Sequence, residues 1–322
     1  MNKDKLKSIY SEIRKFKTIY IVRHIGPDPD AVASEVALRD TIKLTFPSKE
    51  VYSIGASVAR FKYIGKLDKV SSFDYESSLV ITLDLPNISR VDGLNLEKFK
   101  NVIKIDHHPF VEKIGYLEYI DEKATSTCEI LLDLVNNTKL KMNEHIAKTL
   151  MIGIISDSNR FLFYPSDEKI LYKVADLVKK YKLNLQEIYD EIYKKPMSEL
   201  RLMGYIASNL KVTKNKFAYI ILENDIVNSF NADASSASNM VNDFGNIEEF
   251  IVWMFVTKDV KNDLFKVNIR SRGPIINEVA ARYNGGGHKF SSGARIKTME
   301  ELEMLINDLD NTCKKYIKEK EV

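Results

Sequence analysis

The segment Ile103-Lys104-Ile105-Asp106-His107-His108-Pro109 constrains this chain more than any other. The largely apolar run 102–105 predicts a short buried strand, and it stops abruptly at one acid and two imidazoles. Such groups gain nothing for a core, since each needs a polar partner once buried. They are the donors a metal ion requires, carboxylate oxygen and imidazole nitrogen carried on a rigid element. Four of the five histidines, His24, His107, His108 and His288, lie in comparably polar stretches, whereas His145 does not.

The arrangement recurs upstream. The β-branched run 18–22 predicts a central strand leading into Arg23-His24-Ile25-Gly26-Pro27-Asp28-Pro29-Asp30. The prolines push Gly26 and Asp28 towards extended backbone, in which positions i and i+2 project to one side, so Asp28 and Asp30 can aim at one point. A further strand, 78–83, runs straight into Asp84, and another is expected over 50–54. Helices are expected over 1–17, 31–45, 58–64, 126–135 behind the pair Thr125-Ser126, 144–155 behind Asn143, and up to 181 behind Ser166. This alternation predicts an α/β fold with a mostly parallel sheet covered on both faces. His24, Asp84 and Asp106 to His108 then follow the carboxyl ends of different strands, the rim where open α/β sheets bind ligands.

At 322 residues the chain can hold two cores. We read 1–183 as the first domain, the charged helical stretch 184–210 broken by Pro196 as a linker, and 211–322 as a smaller α/β domain. The last has strands expected over 217–222, 250–256 and 264–271, and helices over 235–242, 274–283 and 299–317. Between its final two helices lies Gly285-Gly286-Gly287-His288, which either ends a helix or lets backbone N–H groups approach a phosphate. A net charge of +3 excludes a general DNA-coating protein, and no run is long and apolar enough to cross a membrane. Cys128 and Cys313 lie apart from any ligand cluster and read as free thiols of a reducing cytoplasm.

The candidate metal donors are His24, Asp28, Asp30, Asp84, His107 and Asp157. Mixed donors of this kind suit Mn2+, with Mg2+ or Co2+ as lesser options. They are too many for one catalytic ion with an open position, and enough for two ions sharing a bridging carboxylate. Singly, each has a blander reading: Asp30 as a helix cap, Asp84 or Asp157 as a turn residue. Their convergence favours the metal site.

His24-x-x-Pro27-Asp28-x-Asp30-Ala31, Asp84 with Arg90, Asp106-His107-His108, and Gly153-Ile154-x-x-Asp157 resemble, in order, the four motifs of the DHH phosphoesterase superfamily. Arg270-Ser271 and the Gly285–His288 run resemble its DHH-associated domain. The stretches 124–129 and 157–163 are similar to the subgroup of short oligoribonucleases that also dephosphorylate 3′,5′-bisphosphoadenosine (pAp). Pro29 and Ala33 stand where glycine is common, and Ser158-Asn159 replaces Thr-Gly; these departures bear on substrate fit.

The resemblance implies one metal on His24, Asp28 and Asp84, and another on Asp30, Asp84, His107 and Asp157. It implies that Asp106 orients a histidine, that His108 faces the scissile phosphate and that Arg90 steadies a phosphate. Arg270, Ser271, the glycines and His288 would hold the substrate's other phosphate, with the active site between the domains. The implied substrates are short single-stranded RNA, dinucleotides and pAp, giving mononucleotides; the implied assembly is a homodimer. Rival readings are a cyclic di-AMP or pApA phosphodiesterase and a silent nucleotide-binding regulator. Phe161, Phe163 and Tyr164 could stack on a base, although core packing claims at least two of them.

Overall fold

The computed structural model describes residues 2–162, 166–232, 234–260 and 262–320. The chain divides into two compact units, Met1–Lys194 and Lys195–Val322. Phe163 and Tyr164 lie outside the described residues.

In the first unit, β1 (Thr18–Val22), β2 (Glu50–Ile54), β3 (Leu79–Leu83), β4 (Val102–Asp106) and β5 (Leu117–Ile120) form one parallel sheet in the order β2-β1-β3-β4-β5. Strand order reverses between β1 and β3, which opens a crevice at their carboxyl ends. The register fixes how far each strand end rises. Val22 pairs with Thr82 and Leu83 with Ile105, so His24, Asp84 and Asp106 leave the sheet at one level.

Both faces are covered, but differently. Alternate residues Ile19, Ile21, Ile81, Ile103 and Ile105 pack against α1 (Lys3–Lys15), α2 (Pro29–Thr45), α3 (Thr127–Asn136), α4 (Glu144–Asp157), α5 (Glu168–Tyr181) and α6 (Leu185–Tyr193). Tyr20, Val22, Val80 and Val102 face the other way, onto Leu96, Phe99, Val70 and Phe73 from irregular connections. The β1-to-β2 step runs opposite to the next two steps, so right-handed crossovers place them on opposite faces. An edge-to-face cluster of Tyr20, Phe73, Tyr75 and Phe99 closes this face, which carries no α-helix among the described residues.

Several local expectations change. The helix expected over 58–64 is only a 3-10 turn, Ala59–Phe61. Asp167, not Ser166, caps α5, accepting from the amides of Lys169 and Ile170. The edge strand β5 was not foreseen, because only Tyr119 within it is buried and it shows no alternation. The stretch 184–210 forms two helices parted at Pro196: Ile188 of α6 joins the first core, while Leu202 and Ile206 of α7 (Met197–Asn209) join a core of the second unit.

The second unit contains a six-stranded sheet, order β10-β11-β9-β8-β7-β6. Its strands are β6 (Lys211–Val212), β7 (Phe217–Leu222), β8 (Val252–Asp259), β9 (Leu264–Ser271), β10 (Gly286–His288) and β11 (Ser291–Ile296). Only β7 and β8 pair in parallel. One face packs on α10 (Asn277–Ala281) and α11 (Met299–Lys320); the other packs on α7, α8 (Asn224–Ser229) and α9 (Ala234–Asn239). The glycine run does not end a helix: α10 stops at Ala281, Gly285 follows a turn, and Gly286 and Gly287 with His288 form the edge strand β10.

Candidate active site

β1 delivers His24 to the rim of the first sheet, where a bridge to Val91 and the Ile25 amide bonded to the Arg90 carbonyl (2.6 Å) hold it. Asp28 is the N-cap of α2: its backbone is extended and its Oδ1 accepts from the Ala31 amide at 2.9 Å, with Pro29 next. Asp30 is therefore already helical and is not the cap. Strand-like i, i+2 projection does not align the two acids; the cap and first turn of one helix do. Asp30 is fully buried, and the first amides of α3 bind both of its oxygens, Thr127 N to Oδ2 at 2.8 Å and Cys128 N to Oδ1 at 3.1 Å. Gly153 on α4 makes room, since a Cβ there would fall against Cys128 Sγ and 2.6 Å from Asp30 Oδ1.

Asp84 follows β3 with φ +54°, a left-handed conformation that Asp tolerates better than most residues. Its two oxygens serve different neighbours. Oδ2 lies 3.4 Å from His24 Nε2; Oδ1 lies 3.3 Å from His107 Nε2 and accepts the Thr127 hydroxyl at 3.1 Å. His24 Nε2 also lies 3.7 Å from Asp28, and His107 Nε2 lies 3.3 Å from Asp157, the last residue of α4. Among the described residues, three sets of donor atoms therefore cluster within 4.8 Å: His24, Asp28, Asp84; Asp30, His107, Asp157; and Asp84, His107, His108.

Asp106 ends β4 and turns inward. Its Oδ1 accepts from the His108 amide at 3.1 Å and lies 2.8 Å from His108 Nδ1, while Lys104 Nζ lies 3.1 Å from Oδ2. Lys104 and Asp106 are both fully buried, as a directly contacting ion pair whose Oδ2 side falls outside hydrogen-bonding angles.

Burial dominates the electrostatics. It pushes Asp30 up to about 7, with the charge of Asp84 adding to the rise, and it pushes Asp157 well above the usual carboxylate range. Burial would also raise Asp84, but hydrogen bonds from His107 and His24 hold it well below. The same burial disfavours imidazolium, yet Asp28 and Asp84 raise His24 to about 10, and Asp84 and Asp157 raise His107 well above its ordinary value. The cluster thus retains protons to offset crowded negative charge, a role that a divalent cation would take over.

The donor set fits such ions. His24 and His107 both turn Nε2 inward, and His24 Nδ1 lies 3.1 Å from the Ile25 carbonyl, the backbone partner that a ligating imidazole needs for its second nitrogen. Arg90 is exposed, with Nη2 3.2 Å from His24 Nδ1. A protonated Nδ1 cannot accept from Arg90, so the guanidinium is better suited to an anion.

In the second unit, Arg270 donates through Nε to Asn242 Oδ1 (2.8 Å) and through Nη1 to the Ile269 carbonyl (2.9 Å). Burial lowers it only to about 10, so it stays charged. Cross-strand pairing sets Arg270, Ser291 and His288 in one row on one face. Ser271 is not brought to that face; it is buried on the other, its hydroxyl donating to the Pro274 carbonyl at 2.6 Å.

The three glycines differ. A Cβ at Gly285 would strike the carbonyls of Gly293 and Ala280, and Gly287 has φ +134° with Ser291 O 2.6 Å from its Cβ position. Gly286 has ordinary φ and nothing within 4 Å, so the fold itself does not require glycine there. Thr127, Asn242 and Lys104 carried no role in the sequence reading. Thr127 alone had a signal, its place beside the Ser126 cap.

Residues 18–154 match the family model described as the DHH family, N-terminal domain, and residues 214–315 match the DHHA1 domain. The bifunctional oligoribonuclease and PAP phosphatase NrnA of Bacillus subtilis is 33% identical over 94% of this chain and 97% of its own. A probable bifunctional oligoribonuclease and PAP phosphatase NrnA of Streptococcus mutans is 35% identical over 96% and 99%. The crystal structure of an exopolyphosphatase-related protein from Bacteroides fragilis superposes with a TM-score of 0.82, covering 97% of this chain and 98% of that one at 23% identity, and so shares the fold.

Proposed function

The chain belongs to the DHH family, and on that premise we propose a metal-dependent phosphoesterase that hydrolyses short oligoribonucleotides to mononucleotides and pAp to AMP. The observation that carries this reading is Asp84, whose oxygens face two separate donor groups. His24, Asp28 and Asp84 would hold one divalent ion, and Asp30, Asp84, His107 and Asp157 the other, with Mn2+ favoured by the mixed donors. Such a pair, when bound, activates water and clamps the phosphoryl oxygens.

The chain's own groups do the rest. Asp106 fixes the His108 ring through Nδ1, so the Nε2 edge polarises the phosphate or protonates the leaving oxygen. Arg90 steadies a phosphate oxygen. Residues 211–322 grip the far phosphate through Arg270, the backbone of 285–287 and His288, which favours short substrates; Ser271 shapes the turn behind Arg270. Residues 1–183 carry the chemistry and 184–210 join the two. No helix among the described residues is long and apolar enough to cross a membrane, and the buried thiols Cys128 and Cys313 suit the cytoplasm, where a homodimer would act.

A panel of RNA 2–5-mers, pAp, pApA and cyclic di-AMP, assayed with Mn2+ and again with chelator, tests this. We expect metal-dependent turnover, fastest on the short RNA and pAp. Preference for cyclic di-AMP or pApA would move the assignment within the family, and binding without turnover of any substrate would defeat it.

A further inference from the structure

Thr127, the first residue of α3, belongs to neither proposed ligand set yet touches both. It is fully buried; its amide donates to Asp30 Oδ2 at 2.8 Å and its hydroxyl to Asp84 Oδ1 at 3.1 Å. The two contacts ask different things of the residue. Any residue but proline supplies the amide, and only a hydroxyl supplies the second bond.

Asp84 is also the carboxylate that can least afford to turn. It has left the strand at φ +54°, and its oxygens must stay divided between His24 on one side and His107 on the other. Rotation about its terminal torsion, a soft two-fold one, would blur that division. His24 and His107 reach Asp84 through ring nitrogens that a cation would claim. The Thr127 hydroxyl is neutral and competes poorly for such an ion, so its bond to Oδ1 persists.

We propose that Thr127 is a positioning residue that fixes the Asp84 carboxylate in the orientation needed to bridge two metal ions. This inference rests on the two-metal reading above. Outer partners of metal ligands typically contribute about 10–100-fold to affinity, which sets the expected size.

The test uses the full-length, metal-stripped protein titrated calorimetrically with Mn2+ alone. Thr127→Val keeps shape and amide and deletes only the hydroxyl; Thr127→Ser keeps the hydroxyl. We expect Thr127→Val to weaken binding of at least one Mn2+ by about 10–100-fold, and Thr127→Ser to stay within about twofold of wild type. Circular dichroism of the metal-free variants checks the fold. Should valine disturb it, Thr127→Ala makes the same comparison without added bulk. Wild-type affinity in the hydroxyl-deleted protein, or equal weakening in Thr127→Ser, overturns the inference. Wild-type protein that takes up no Mn2+ overturns the two-metal reading itself, a result seen before any variant is made.

Discussion

The two units treat charge in opposite ways. The first buries Arg23, Asp30, Glu35, Asp84, Lys104 and Asp106, whereas the buried polar residues described in the second are Ser238, Thr257, Ser271 and Ser292. Buried ions are costly unless paired, and breaking one pair leaves an uncompensated charge. The first unit accepts that cost where its strand ends converge, and obtains carboxylates held rigidly close together. The second carries Arg270 near the end of an inner strand and His288 on the edge strand β10, and lets missing side chains do the shaping. The contrast separates a place of paired, buried charge from one shaped by glycines.

The largest expected effect tests the charged half. Asp84→Asn should lower kcat by on the order of a thousandfold, because a two-metal clamp supplies several kcal/mol at the transition state. Steady-state rates with Mn2+, together with metal content by elemental analysis, check this. Turnover near wild type would break the contrast at its centre.

A smaller effect separates the glycines. Gly286→Ala should fold at wild-type stability and raise KM by about tenfold, the worth of one bond to a charged group, with little change in kcat. Gly285→Ala should instead lose about 1–3 kcal/mol by overpacking against the Gly293 and Ala280 carbonyls, which denaturant melts would register. If both variants lost stability alike, the edge strand would be structural throughout.

An effect of comparable size, confined to high pH, asks whether buried charge in the first unit serves anything beyond the site. Glu35 lies 3.2 Å from Arg23 Nε, both fully buried, and burial raises its pKa to about 8 despite the pull of Arg23 and Arg39. A folded-state pKa raised from 4.5 means that the folded chain binds more protons than the unfolded one between pH 4.5 and 8. Wild-type stability should therefore fall across that window as pH rises. Glu35→Gln, which cannot ionise, should flatten this dependence, leaving a difference of about 1–3 kcal/mol at pH 9 and little at pH 5. Urea midpoints at the two pH values measure it; parallel curves would show that the Arg23 pair keeps Glu35 ionised throughout.

Much of the first unit was legible, because short β-branched runs ending in polar residues are a local signal. The edge strands β5 and β10 were not, since one lacks alternation and the other is glycine, which weakens strand propensity. Ser271 was read together with Arg270 as a motif, but neighbours on a strand face opposite ways, and only the register shows which side holds Arg270.

The order of residues by itself determined that His24, Asp84 and Asp106 to His108 share one rim, because strands of a parallel sheet end on the same side. Tertiary structure alone decided the partners: Asp30 bound by the first amides of a helix 97 and 98 positions away, and Asp84 dividing its oxygens under a hydroxyl 43 positions on. Local periodicity carries the direction of a side chain but holds no record of which distant helix will pack against it.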